Sequence, residues 1–435
     1  MLEPHILPAA VPLKPKITIR STHLNLQICG RTPVKTRQNR QWFAILAVAL
    51  MSAACTTAAG ALAEDVESPR DLAVVAPESV GVSSTRLERL EAGMRGFIED
   101  GSLAGVHTVM ARHGKIVHSS LAGVKDVESG APLTDDAIYR IYSMSKPITS
   151  VAVMMLYEEG RFFLTDPVGR YIPEFANLPV AKLAEATSME DIPTERARRP
   201  VTIQDLLRHT SGLSYGIFSN TPVDSLYNRS FVLFRPNLAE MMTALGKIPL
   251  MYQPGTEWNY SVSTDVLGRL VEVVSGQPFD EFLEQRILGP LGMVDTGFHV
   301  PEKDLDRLTR TYAHTGADRA LVLGDTVTFS RPTTLFSGGG GLVSTTHDYA
   351  RFAQMLLNGG ELDGARLLSR KTVDLMTTDH LGDAGTGWLS PGWGFGLGFT
   401  VKNVPGLDGM PGSVGDFNWA GLHGTSFWVD PQEDL

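Results

Sequence analysis

Apolar and polar positions alternate along this chain with two different periods, and the change of period marks its elements. In "VSSTRLERLEAGMRGFIEDG", Leu87, Leu90, Met94, Phe97 and Ile98 recur at helical spacing, with Thr85 and Glu88 placed to form a capping box. The next stretch, "GVHTVMARHGKIVHSSLAG", reads as two β-rich runs joined at His113-Gly114, a hairpin signal. A helix followed by a hairpin predicts an antiparallel sheet with a helix packed on it.

The middle of the chain follows the helical period. "KPITSVAVMMLYEEG" is apolar nearly all round, the pattern of a buried helix. "VTIQDLLRHTSGL" and "TDVLGRLVEVVSGQP" are also helical, the second with Val266, Leu267, Leu270, Val271 and Val274 on one face, Gly276 as C-cap and Pro278 as stop. Residues 176–200 are polar and irregular, as an insertion would be. Towards the end, "SGGGGLVSTTHDYARFAQMLLNGG" gives a glycine-rich turn and another amphipathic helix, and "NWAGLHGTSFWVDPQ" gives strand, tight turn, strand. Strand signals at both ends with helices between predict an α/β (α+β) fold. One sheet is expected to be built from about 64–135 and 335–435, with a helical region at about 136–334 inserted.

Composition adds a leader to this picture. The chain has 435 residues, 43% hydrophobic, enough for a large core in one or two domains. Its formal net charge of −10 argues against a nucleic-acid partner, because phosphate binding needs basic surface. Basic residues up to Arg40 precede "WFAILAVALMSAAC", Trp42 to Cys55, apolar but short for a bilayer span, and then "ALA", Ala61 to Ala63. Residues 1–63 are therefore expected to be a cleaved export leader, leaving residues 64–435 in the periplasm or medium without stable membrane insertion. A short membrane anchor is the alternative. Cys55 follows Ser-Ala-Ala, a poor lipoprotein box, which leaves a lipid-anchored form as a weaker option. The leader's length points to a translation start downstream of Met1.

Both cysteines, Cys29 and Cys55, lie in that leader, so the remainder holds no disulfide framework, thiol nucleophile or zinc–cysteine site. No HExxH or similar ligand spacing appears, and His107, His113 and His118 read as ordinary strand histidines. No metal or organic cofactor is expected.

The chemistry begins at "RIYSMSKPITS", with the chain's only Ser-x-x-Lys, Ser143 and Lys146. A serine hydroxyl needs a base to remove its proton, and a lysine three residues on shares its helix face. Pro147 is tolerated only in a first turn, so the helix starts near Ser143, where the dipole and free N–H groups favour negative charge on the serine oxygen. Burial beside an apolar helix would lower the lysine's pKa towards useful basicity. By itself the motif remains weak, and a surface coincidence stays open at this point.

Further motifs change that balance: "LLRHTSGL", "WNYSVSTDVLGRLVE", "PLGMVDTGF", "GGGGLVSTTHDYARF" and "NWAGLHGTSFWVDP". Together with Ser-x-x-Lys they resemble the serine β-lactamase and penicillin-binding protein superfamily from about Glu78 onwards. Within it, the class C β-lactamase-like group and the family VIII carboxylesterases are most similar. The resemblance implies the β-lactamase/transpeptidase-like fold, Ser143 as nucleophile and Lys146 as its proton acceptor. Tyr260, in Tyr260-Ser261-Val262, would share the base role and protonate the leaving group, its phenol lowered by the Lys146 cation. Val262 stands where the family has an asparagine that holds a β-lactam side chain.

Trp419-Ala420-Gly421 takes the place of Lys-Thr-Gly, losing the cation that grips a β-lactam carboxylate. The resemblance makes the Ser143 and Leu422 N–H groups the oxyanion hole, with Trp419 and Gly421 at the substrate. His423 is either at the pocket or an ordinary turn histidine. The implied activity is hydrolysis of small carboxylic esters. A β-lactamase, a D-amino-acid peptidase, an acyltransferase and a non-catalytic penicillin-binding or peptidoglycan-sensing module are the alternatives.

Two decoys are set aside. His314-Thr315-Gly316 mimics Lys-Thr-Gly but lies in a polar stretch with no strand expected after it. Gly212-Leu213-Ser214-Tyr215-Gly216 is a literal G-x-S-x-G, yet a nucleophile elbow needs a strand before the serine, and here a helix-like run precedes it. Relatives continue beyond the "WVDP" segment with a strand and a C-terminal helix, so those two elements are expected to be missing here and an edge and an apolar face left uncovered.

Overall fold

In a computed structural model, residues 72–315, 320–323 and 329–435 are described. The expected leader and Gly316 lie outside them. Helix α1 (Ser84–Glu99) is followed by the antiparallel hairpin of β1 (Gly105–Arg112) and β2 (Lys115–Asp126), on which it packs. The turn is His113-Gly114 as expected, with φ of 53° and 69°, the left-handed pair that a two-residue hairpin turn demands. The capping box does not form. The helix begins at Ser84, so Thr85 already lies inside its first turn, and the Ser84 N–H is satisfied by Glu78 Oε1 at 2.9 Å.

The helical middle comprises α2 (Ser145–Glu158), α3 (Ile203–Leu207), α4 (Pro222–Arg229), α5 (Leu238–Leu245), α6 (Ser263–Ser275), α7 (Phe279–Leu283) and α8 (Gly289–Leu291). Helix α2 is buried from Ser145 to Leu156 and packs against α6, which fits its all-round apolar pattern. Helix α6 ends at Gly276, φ 76°, as its sequence predicts. In α3, Asp205 completes a capping box with Thr202 and also accepts from Arg199, Arg208 and Thr210. This buried carboxylate pins the loop that leads towards Tyr215.

Beyond β2, a short β3 (Ala131–Pro132) completes a three-stranded sheet. Strand β4 (Tyr139–Arg140) instead pairs with β9 (Val343–Ser344), with Tyr139 opposite Ser344. The insertion at 176–200 carries only the two-residue pair β5 (Val180–Ala181) and β6 (Thr194–Glu195). Strand β7 (Tyr312–Thr315) does have a strand after it, β8 (Ala320–Leu323), so that ground for dismissing His314 fails. Helix α9 (Thr346–Leu357) follows β9, then the small hairpin β10 (Glu361–Leu362) and β11 (Ala365–Arg366), and α10 (Arg370–Met376). The meander of β12 (Trp393–Phe395), β13 (Thr400–Lys402), β14 (Phe417–Ala420) and β15 (Ser426–Val429) forms the second large sheet.

The expected single sheet is thus two. Helix α9 packs on both β1 and β15, but those strands do not pair with each other. A cleft of about 960 Å³ separates them, lined by Val109, Tyr349, Ala353 and Phe427 among others. Across a cleft of that size the backbone N–H and C=O groups of the two edges are beyond hydrogen-bond reach. All described residues fall in the unit Glu67–Leu435. Among them, no helix is long and apolar enough to cross a membrane.

Candidate active site

Strand β4 runs directly into a 3-10 turn, Tyr142–Met144, that leads into α2. Tyr142 is held at φ 41°, a left-handed conformation costing roughly 1 kcal/mol or more for a residue with a Cβ. That turn sets Ser143 just ahead of the helix N-terminus, and Pro147 sits inside the first turn as expected.

Lys146, only 1% exposed, places Nζ 3.2 Å from Ser143 Oγ. Its other partners are the Gly339 carbonyl at 2.6 Å and Tyr215 Oη at 2.9 Å. Burial lowers its pKa to about 7, against the opposing pull of the Asp265 carboxylate. A neutral amine has two N–H donors and one lone pair. With Gly339 O and Tyr215 Oη taking the donors, the lone pair is left for the serine proton.

Tyr260 donates to the same oxygen: its Oη lies 2.6 Å from Ser143 Oγ. Rings of His209, Tyr215, Phe218, Trp258, Trp388 and Trp419 surround it at centroid distances of 5.0 to 6.1 Å. Burial pushes the phenol's pKa well above its ordinary value, and the hydrogen bond with Ser143 only partly offsets this. The expected lowering by Lys146 is therefore reversed. The same desolvation that raises the phenol strips the lysine of its charge near neutral pH, so no firm cation is available to lower it. Val262 is fully buried in the main core rather than presented to a ligand.

Trp419 extends from β14 into the aromatic wall, 5.4 Å from both the Tyr260 and Phe395 rings. Gly421 follows the strand, and a Cβ there would fall 2.4 Å from the Ile141 carbonyl oxygen and 2.2 Å from Thr425 Oγ1. Only glycine lets this turn lie against the backbone leading to Ser143. Leu422 comes next, its side chain exposed, and the His423 ring rests 4.8 Å from that of Tyr142. Ser143, Lys146 and Tyr260 thus converge within hydrogen-bond reach, with the β14 turn beside them.

Three participants escaped the sequence reading. Tyr215 belongs to the G-x-S-x-G decoy, and it reaches Lys146 while the neighbouring serine does not. Ser214 Oγ instead donates to Asp224 at 2.5 Å and accepts from the Gly216 N–H, a buried structural role. Asp265, fully enclosed on α6, accepts from Ser337 Oγ and the Gly339 N–H, and so fixes the carbonyl that receives the lysine. Burial raises its pKa. The four-glycine run supplies that carbonyl: a Cβ on Gly339 would lie 2.5 Å from Asp265 Oδ2. Asp265 in the first turn of α6 was the available signal, while the glycine run, 74 positions away, reaches it only through the fold.

This arrangement can generate a serine nucleophile beside a buried amine and a phenol donor. The family model described as Beta-lactamase matches residues 89–435. The chain belongs to the beta-lactamase family. Esterase EstB of Burkholderia gladioli is 32% identical over 79% of this chain and 86% of its own length. Protein Rv1367c of Mycobacterium tuberculosis is 38% identical over 80% of this chain and 88% of its own. Among solved structures, EstCE1, titled a hydrolase with promiscuous acyltransferase activity, superposes with a TM-score of 0.68. It is 27% identical and covers 80% of this chain and 92% of its own. As a beta-lactamase family member, the chain has the β-lactamase/transpeptidase-like fold and is of the serine hydrolase kind.

Proposed function

We propose that this protein hydrolyses small carboxylic esters through an acyl-enzyme on Ser143. Lys146 Nζ takes the hydroxyl proton as Ser143 Oγ bonds to the ester carbon. The N–H groups of Ser143 and Leu422 hold the developing oxyanion. As the tetrahedral intermediate collapses, Tyr260 protonates the departing alkoxide, and the Lys146 ammonium restores the phenol. Water then enters by the reverse sequence and releases the acid.

The observation that carries the ester preference is Trp419 packed against Tyr260 where a β-lactamase has a lysine. The wall at that position is aromatic and offers a neutral acyl or alcohol group apolar contact. A β-lactam carboxylate finds no ammonium there. The names of EstB and EstCE1 support the same reading. A non-catalytic binding module would have no use for an amine and a phenol both aimed at one serine oxygen. The reading extends to a periplasmic or secreted location, supported by the basic run to Arg40, the apolar Trp42 to Cys55 and Ala61 to Ala63. N-terminal sequencing of exported protein checks that part.

A panel of short and long nitrophenyl esters beside a chromogenic cephalosporin tests the activity. The best short ester is expected to exceed the cephalosporin greatly in kcat/KM, with burst release of nitrophenol before slower turnover. A higher kcat/KM on the cephalosporin overturns the ester reading.

A further inference from the structure

Away from the serine chemistry, two histidines and an aspartate from three separate elements meet. His107 lies on β1, Asp135 in the segment entering β4, and His347 in the first turn of α9. Each offers a ligand atom, and these atoms all lie within 4.8 Å of one another. His347 Nε2 is 3.0 Å from Asp135 Oδ2, and His107 Nε2 is 3.4 Å from Asp135 Oδ1. The two imidazole rings stand 5.6 Å apart at 67°, neither stacked nor sharing a plane.

We propose that His107, Asp135 and His347 bind one divalent transition-metal ion, zinc being the best match. A tetrahedral zinc with bonds of about 2.0 to 2.1 Å holds its ligand atoms about 3.3 to 3.4 Å apart. His107 Nε2 already stands at that spacing from Asp135 Oδ1, and the set as a whole, spread within 4.8 Å, would draw together on the ion. Donor type selects the class of ion, since imidazole suits zinc and its neighbours whereas calcium and magnesium prefer oxygen shells. Three protein donors leave a fourth position for water, and the exposed Asp135 lies on the open side from which an ion would enter.

The His107 ring turns Nε2 towards this cluster. Its side chain is fully buried, and Nε2 makes its polar contacts, to Asp135 and to Ser119 Oγ at 3.3 Å, while Nδ1 has no hydrogen-bond partner. The ring is therefore oriented by the cluster and by packing.

Position gives the ion a structural role. Strands β4 and β9 are antiparallel, with Tyr139 opposite Ser344, so Asp135 and His347 flank the same end of that ladder. The ion would tie this end to β1, and β4 runs straight into the turn bearing Ser143. Because the ligands converge only in the folded chain, binding adds to stability by mass action. No spacing in the sequence could show it, as Asp135 and His347 are 212 positions apart.

The test uses the full chain purified without a histidine tag, stripped with EDTA and dialysed. Titration calorimetry with zinc chloride is expected to show one saturable site per chain, and the melting temperature is expected to rise with zinc but not with calcium or magnesium. His347→Ala and Asp135→Asn replace side chains near the surface, and circular dichroism confirms their folds. Each is expected to weaken zinc binding at least ~10-fold and to remove the zinc-dependent rise in melting temperature. No saturable zinc binding, or unchanged affinity in both folded variants, overturns the site.

Discussion

Tyr260 Oη lies 2.6 Å from Ser143 Oγ, closer than Lys146 Nζ at 3.2 Å. The phenol is buried, raised in pKa and therefore a firm donor, while the amine is lowered to about 7 and able to accept. Desolvation acts on both groups but in opposite directions, because it always disfavours the charged form. One serine oxygen thus faces a phenol that holds its proton and an amine able to accept one, and the proposed acid and base roles rest on that same dry environment.

Labelling by a fluorophosphonate probe distinguishes the two candidate serines. Ser143→Ala is expected to abolish both labelling and ester turnover. Ser214→Ala is expected to keep both near native levels. It should lower stability by about 1–3 kcal/mol, since the buried Asp224 carboxylate loses a donor. Labelling that persists in Ser143→Ala and vanishes in a folded Ser214→Ala overturns the assignment.

Lys146→Ala and Tyr260→Phe are each expected to lose on the order of 10² to 10⁴-fold in kcat. The double variant should lose little more than the worse single one, because both groups serve the same proton on Ser143 Oγ. Steady-state kinetics on the three proteins, with folding checked by circular dichroism, decides it. Strictly multiplicative losses would mean that the two side chains act independently.

The local part of this site is legible in the sequence, and its tertiary part is not. Ser143 and Lys146 are three residues apart, and Pro147 fixes the helix start, so their proximity follows from helix geometry alone. Tyr260 is 117 positions from Ser143 and entered only through the family resemblance, as did Trp419. Tyr215, Asp265 and the Gly339 carbonyl were missed because each earns its place by packing against Lys146 or its partners. The direction of the Tyr260 shift is hidden for a related reason. A lysine with its solution charge would lower the phenol, but burial lowers the lysine's own pKa to about 7 and raises the phenol directly. Likewise the hairpin of β1 and β2 was visible in local alternation, whereas the separation of β1 from β15 depends on non-local edges.

The pH profile follows from the lysine. If neutral Lys146 is the base, kcat/KM on a stable ester is expected to rise about tenfold per pH unit below about 7 and then level off. No fall is expected up to about pH 9.5, because the raised Tyr260 phenol keeps its proton across that range. A profile that is flat from pH 5.5 to 8 in a stable enzyme excludes Lys146 as the titrating base.

The same depressed pKa makes stability depend on pH in a definite sense. In the unfolded chain Lys146 keeps its proton up to its ordinary value of 10.5, whereas in the folded protein it releases it near 7. Between these values the unfolded state binds more protons, so stability gained from this group rises with pH, by up to ~1.4 kcal/mol per unit. It is fully present above the unfolded value and lost as pH falls through the folded one. Lys146→Met removes the titrating group while keeping a side chain of similar length. Denaturant unfolding of both proteins at pH 7 and pH 9 should therefore show the wild type gaining on the variant as pH rises, whatever other groups contribute to both curves. Parallel pH dependence of the two proteins would show that Lys146 keeps its proton in the fold, and the neutral-amine mechanism would fall with it.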